Sequence, residues 1–245
     1  MHRTHSTLQN FYCTKGNPIR YLLYMGATAT SGGRAIRRSA VATFDATFGC
    51  LRTPDGAATI PCAIFNTNIF GGTFMKTLIA YFSHTGENYF GGQIRNISKG
   101  NTAVVAEFAQ KATGGDLFEI KTVKEYPVNY KECTEVAAAE GRANERPELK
   151  GTIPSISDYD TIILGYPCWW GTMPQAVFTF LESADFAGKK ILPFCTHEGS
   201  GMGRSENDIK KVCPTATLAK GLAINGSSCN GAESSVKKWL SANGL

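Results

Sequence analysis

Apolar positions recur with a regular period from residue 75 onward and without one before it. Residues 76–82 form a short apolar run, the pattern of a strand covered on both faces. Across Asn101–Thr113 the apolar residues Val104, Val105, Phe108, Ala109 and Ala112 trace one helical face. Asn101 or Thr102 would cap its start, and Gly114-Gly115 would end it. A second strand follows over 116–120, then a polar helix over 130–142 within a long excursion holding Pro127 and Pro147. A third strand falls over 160–166, and a helix over 174–183 opens with Pro174 in its first turn. A fourth strand spans 190–196, a helix 204–212, and a fifth strand lies within 215–224. Glu233–Ala242 closes the chain as an amphipathic helix carrying Val236, Trp239 and Leu240.

Strands alternating with helices predict an α/β fold: a doubly wound five-stranded parallel sheet with helices on both faces. Such a sheet binds its ligand at the carboxyl ends of the strands, beside the switch in strand order.

Residues 1–74 are rich in Gly, Thr, Ala and Arg and read as a poorly structured extension. They hold seven Lys+Arg against two Asp+Glu, whereas 75–245 holds eighteen of each. The whole net charge of +5 therefore sits in the extension. Three readings fit it: sequence upstream of a natural start at Met75, a transit-like segment, or a functional extension. A neutral main domain gives no reason to expect nucleic acid. No run of about 18 apolar residues suggests a membrane span. The eight cysteines show no CxxC spacing, which argues for reduced thiols in a cytoplasmic protein and against a zinc site.

Three strand-exit loops carry the candidate chemistry. In Ser83-His84-Thr85-Gly86-Glu87-Asn88, two hydroxyls and the amides around Gly86 could wrap a phosphate. In Pro167-Cys168-Trp169-Trp170-Gly171, adjacent tryptophans on a turn cannot both face the core, and they offer a flat wall to an aromatic ring. In Thr196-His197-Glu198-Gly199, glycine lets backbone amides approach a planar ligand.

Together these loops resemble the FMN-binding loops of the flavodoxin superfamily, in its bacterial flavodoxin-like branch carrying Ser-His-Thr-Gly-Glu-Asn and Gly-Asn-Thr elements. The likeness covers 75–245. It implies non-covalent FMN, with its phosphate at the Ser83–Asn88 loop and at Asn101 and Thr102. Its ring would lie among Pro167, Cys168, Trp169, Trp170 and Gly171 on one side and Thr196, His197, Glu198 and Gly199 on the other. The insert 89–100 is expected to fold outward and return, so that the helix start still faces the phosphate.

The resemblance implies electron-transfer or oxidoreductase activity, and the neutral surface shifts the balance from a pure carrier toward an FMN-dependent oxidoreductase. As an enzyme it would take hydride from NAD(P)H and reduce a quinone or nitro compound; as a carrier it would serve a redox partner protein. His197 is the one candidate for protonation chemistry. A cofactor-free binding module of the same shape is the remaining reading. Exposed aromatics would allow a homodimer. No metal is expected.

Overall fold

A computed structural model describes residues 76–245 and, within the preceding stretch, three short strands. These are β1 (Thr43–Asp45), β2 (Cys50–Arg52) and β3 (Thr59–Pro61), which pair antiparallel in that order. The chain divides into two units, Met1–Thr73 and Phe74–Leu245. Apart from those strands, the expected character of residues 1–74 lies outside the described residues.

In the second unit, β4 (Thr77–Tyr81), β7 (Asp116–Glu119), β8 (Thr161–Pro167) and β9 (Lys190–His197) lie parallel, in the spatial order β7-β4-β8-β9. The expected fifth strand occupies the far side of β9 in two pieces, β10 (Thr217–Leu218) and β11 (Leu222–Asn225). Between Leu218, paired with Ile191, and Leu222, paired with Phe194, it carries one residue more than β9, a bulge at which the Gly221 amide donates to Glu206 Oε1 at 2.7 Å. Counted in chain order the sheet reads 2-1-3-4-5, the flavodoxin-like doubly wound arrangement, with its switch between β4 and β8.

Alternation along each strand sorts the core into two layers. Leu78, Ala80, Ile162, Leu164, Ile191 and Cys195 face one side, under α3 (Gln175–Glu182) and α4 (Ser205–Val212). Ile79, Ile163, Leu192 and Phe194 face the other, against α1 (Asn101–Thr113) and α5 (Glu233–Ala242). Continuous apolar runs suit strands covered on both faces. Gly165 has no side chain because a Cβ there would enter the Phe194 ring on the neighbouring strand.

One local expectation is corrected. Gly100, not Asn101 or Thr102, occupies the N-cap of α1, and the cap hydroxyl comes from another loop: Ala103 N–H donates to Ser83 Oγ at 3.1 Å. Any Cβ at residue 100 would collide with Ser83 Oγ and the His84 carbonyl, so close approach selects glycine there. The insert after β4 leaves the sheet and returns to the start of α1. It forms an antiparallel hairpin of β5 (Gly86–Phe90) and β6 (Gln93–Ile97), turned at Gly91 and Gly92 with φ of 60° and 90°. Positive φ at both central residues marks a type I′ turn. Its tip is tied back, with Gly91 N–H donating to Glu198 Oε2 at 3.1 Å.

Between β7 and β8 runs α2 (Tyr130–Ala143), capped by Asn129, whose side chain accepts from Glu132 N–H at 3.1 Å. No helix among the described residues is long and apolar enough to cross a membrane.

Candidate functional site

The carboxyl ends of β4, β8 and β9 open into a cavity of about 350 Å³, within the usual range for small-ligand sites. All three loops singled out from sequence reach it: His84, Asn88, Trp169, Trp170, Thr196 and His197 line it, together with the start of α1 at Asn101 and Thr102.

At the α1 end, Val104 N–H bonds the Gly100 carbonyl and Ala103 N–H bonds Ser83. The amides of Asn101 and Thr102 have no partner among the described residues, so the positive end of α1 presents two N–H donors to the cavity. Below them, the buried hydroxyls of Thr102 and Thr196 bond each other at 2.8 Å. His84 donates from Nε2 to the Pro127 carbonyl at 3.0 Å; that carbonyl can only accept, which leaves Nδ1 to accept from Asn88 Nδ2 at 3.5 Å. Burial lowers the His84 pKa, against the pull of these bonds, so its ring is neutral at pH 7.

The two tryptophans are held differently. Trp169 sits in an aromatic cluster, its ring edge-on to Phe82, His84 and Tyr126 at 5.3, 5.8 and 5.1 Å. Trp170 is 63% exposed. Trp169 and Thr172 exchange backbone bonds of 2.8 and 3.1 Å around Trp170 and Gly171, whose φ angles are 51° and 79°. This is again a type I′ turn, but with a tryptophan where glycine or asparagine is usual. Left-handed backbone at a bulky residue costs about 1–3 kcal/mol and persists only where surroundings enforce it. Here Trp170 Nε1 donates to the Thr134 carbonyl at 3.1 Å, and Arg204 Nη1 donates to the Trp170 carbonyl at 3.3 Å. The result is a fixed aromatic plate at the cavity rim.

Cys168 lies half-buried in the cavity wall. The neighbouring Cys195 thiol, the Ser200 hydroxyl, the Gly171 amide and the Arg204 charge bring its pKa down to about 6, with burial opposing them. The buried Cys195 thiol is driven far up by the Cys168 thiolate and by its own desolvation.

Several predicted positions serve the scaffold. Ser83, Thr85, Gly86, Gly171 and Gly199 fall outside the cavity lining. Thr85 is exposed; Gly86 is buried at φ 88°, where a Cβ would strike Val128. Gly171 makes the Trp170 turn, and Gly199 N–H donates to His197 Nδ1 at 2.9 Å. Glu87 and Glu198 line the cavity, yet their carboxylates hold backbone. Glu87 Oε2 accepts from Tyr130 N–H at 2.9 Å, at the start of α2. Glu198 accepts from Ser227 N–H at 2.6 Å as well as from Gly91. Pro167 and Cys168 lie in the cavity wall.

The sequence reading missed the contributions of Tyr89, Tyr130, Cys133, Thr134, Ala137, Ser200 and Gly226. Residues 130, 133, 134 and 137 form an i, i+3, i+4, i+7 stripe, so spacing marks a shared face of α2, but nothing local says what it faces. Among the described residues no cluster of His, Cys, Asp or Glu could hold a metal ion.

Sheet order and the cavity at the switch point together define a doubly wound α/β domain of the flavodoxin type. The family model described as Flavodoxin matches residues 76–243, and the chain belongs to that family. It is similar to the crystal structure of a protein classed as a flavoprotein from Bacteroides uniformis. Identity is 32% and the TM-score 0.56, over 68% of this chain and 98% of that one. A counterpart from Bacteroides eggerthii is 29% identical at a TM-score of 0.55, over 69% and 98% of the two chains. A flavoprotein from Lactobacillus acidophilus, solved in complex with FMN, is 20% identical at a TM-score of 0.48, over 68% and 99%. No curated protein matches the chain.

Proposed function

We propose that the 75–245 domain binds FMN non-covalently in the cavity at the switch point and works as an FMN-dependent oxidoreductase. The observation that carries this reading is the convergence, on one cavity, of the unpartnered Asn101 and Thr102 amides with the fixed Trp170 plate. The first suits a phosphate dianion and the second a planar ring, so the residues present fit the group.

The phosphate would lie at the positive end of α1, held by the Asn101 and Thr102 amides. Ser83 accepts from Ala103 but keeps its own proton to donate. Trp170 on the rim and Tyr89 on the hairpin would flank the ring and exclude water from it. His84, neutral at pH 7 and donating to Pro127, would contribute shape rather than charge. His197 Nδ1 accepts from Gly199, which leaves Nε2 as the ring nitrogen able to hold a proton toward the cavity. FMN, when bound, supplies the hydride and single-electron chemistry.

A neutral domain, with eighteen Lys+Arg and eighteen Asp+Glu, supports a small-molecule acceptor such as a quinone or nitro compound and NAD(P)H as donor over a charged protein partner. Purified protein is expected to carry FMN, identified by mass after denaturation, and to oxidise NAD(P)H in the presence of a small quinone. Asn101→Glu, which sets a carboxylate beside those amides, should abolish FMN retention. A colourless protein that takes up no FMN would refute the cofactor; FMN reduced only by another protein would replace the enzyme with a carrier.

A further inference from the structure

A second cavity, of about 270 Å³, lies behind the tryptophan turn, between α2 and the start of α3. It shares Ala137, Trp169 and Trp170 with the first cavity and is otherwise built from different residues. Its polar lining is dominated by donors. Gln175, 9% exposed, accepts from Arg146 Nη1 through Oε1 at 2.8 Å. An arginine N–H requires the amide oxygen on its side, so Nε2 is the half turned toward Gly141 and the cavity, and it has no acceptor among the described residues.

Arg142 on the rim has no ion-pair partner among the described residues, while Arg204 is paired with Asp208 at 3.2 Å. The one acidic group in the lining, Glu140, already accepts from Tyr126 O–H at 2.7 Å, and burial raises its pKa. The local balance therefore favours an acceptor-rich anion, and the face of Trp170 favours a flat one. Gly141 keeps the space open. A Cβ there would meet only Gln175 Nε2, at 3.9 Å, so packing does not demand glycine, although glycine weakens a helix.

We propose that this second cavity is a binding site for a small planar monoanion, an aromatic carboxylate. The ring lies against Trp170, and the carboxylate accepts from Gln175 Nε2 and the Arg142 guanidinium. The site stands whether or not the first cavity holds FMN.

The test uses 4-nitrobenzoate on the full chain, followed by calorimetry and by quenching of tryptophan fluorescence. Wild type is expected to bind it saturably, with a quench that disappears in Trp170→Phe. Arg142→Ala should weaken binding about 10-fold, the scale of one charge-assisted bond. Arg142→Lys, which keeps the charge but not the fork, should fall between. Gln175→Glu retains an acceptor for Arg146, places a carboxylate where the donor was, and should abolish binding. Unchanged FMN content and circular dichroism would show that this variant is folded. Absence of saturable binding to wild type would overturn the proposal. So would equal affinity in Arg142→Ala and Gln175→Glu, or displacement of the probe by FMN, which would put it in the first cavity.

Discussion

Thr102, in the first turn of α1, and Thr196, near the end of β9, share a 2.8 Å hydrogen bond between buried hydroxyls 94 residues apart. The bond joins the helix end that presents the amides to the strand that carries the His197 loop. Thr196→Val should leave the Thr102 hydroxyl buried without a partner, at a cost of about 1–3 kcal/mol in denaturant unfolding. The double variant Thr102→Val/Thr196→Val should recover most of that loss, because an apolar pair leaves no orphan. A double variant no more stable than the single one would show that the bond is not the reason for the cost.

Glu198 bridges two backbone amides, Gly91 at the hairpin tip and Ser227 after β11. Glu198→Ala should speed hydrogen exchange at both amides by about 10-fold, the loss of roughly one charge-assisted bond. Exchange in β8 should not change. Unaltered exchange at Gly91 would mean the hairpin is held by the Tyr89–Tyr130 ring contact instead.

The Cys168 thiol, brought down to about 6, should react with iodoacetamide in a pH-dependent way that peptide mass mapping can follow. The thiolate is the nucleophile, so the rate rises as pH increases through about 6 and levels off above it. Cys133 and Cys213, pushed up to about 11 by burial, should stay slow over that window. Cys195→Ala removes the thiol contributing most to the shift, so the midpoint should move upward; Cys195→Ser should hold it near the wild-type value. A midpoint in the ordinary thiol range would refute the assignment.

Thr161 Oγ1 is the one fully buried side-chain polar atom without a partner among the described residues. Thr161→Val keeps the shape and removes the orphan hydroxyl. Stability should stay level or rise by about 1 kcal/mol. A clear loss in thermal unfolding would mean a partner, such as a trapped water, satisfies the group.

Gly165→Ala sets a methyl group into the Phe194 ring across the β8–β9 pair. Overpacking of this kind costs about 1–3 kcal/mol, readable as a lower denaturation midpoint. Adding Phe194→Leu should relieve part of it.

Apart from the β5–β6 hairpin, the order of the main strands and helices from residue 76 and both ends of α5 were legible in the sequence, because burial on one or both faces leaves a period in the chain itself. The three cavity loops were legible for a related reason: a parallel sheet brings every strand exit to one edge, so loop chemistry can be read in place. Tertiary packing decided the rest. Periodicity shows that residues 130, 133, 134 and 137 share a face but not that they wall a cavity beside Trp170. It could not give Ser83 to the Ala103 amide, Glu87 to the start of α2 or Glu198 to the hairpin tip. Those partners meet only after segments 20 to 107 residues apart have packed. A carboxylate in a loop looks the same whether it will meet a ligand or a backbone amide, and proximity in the folded chain settles which.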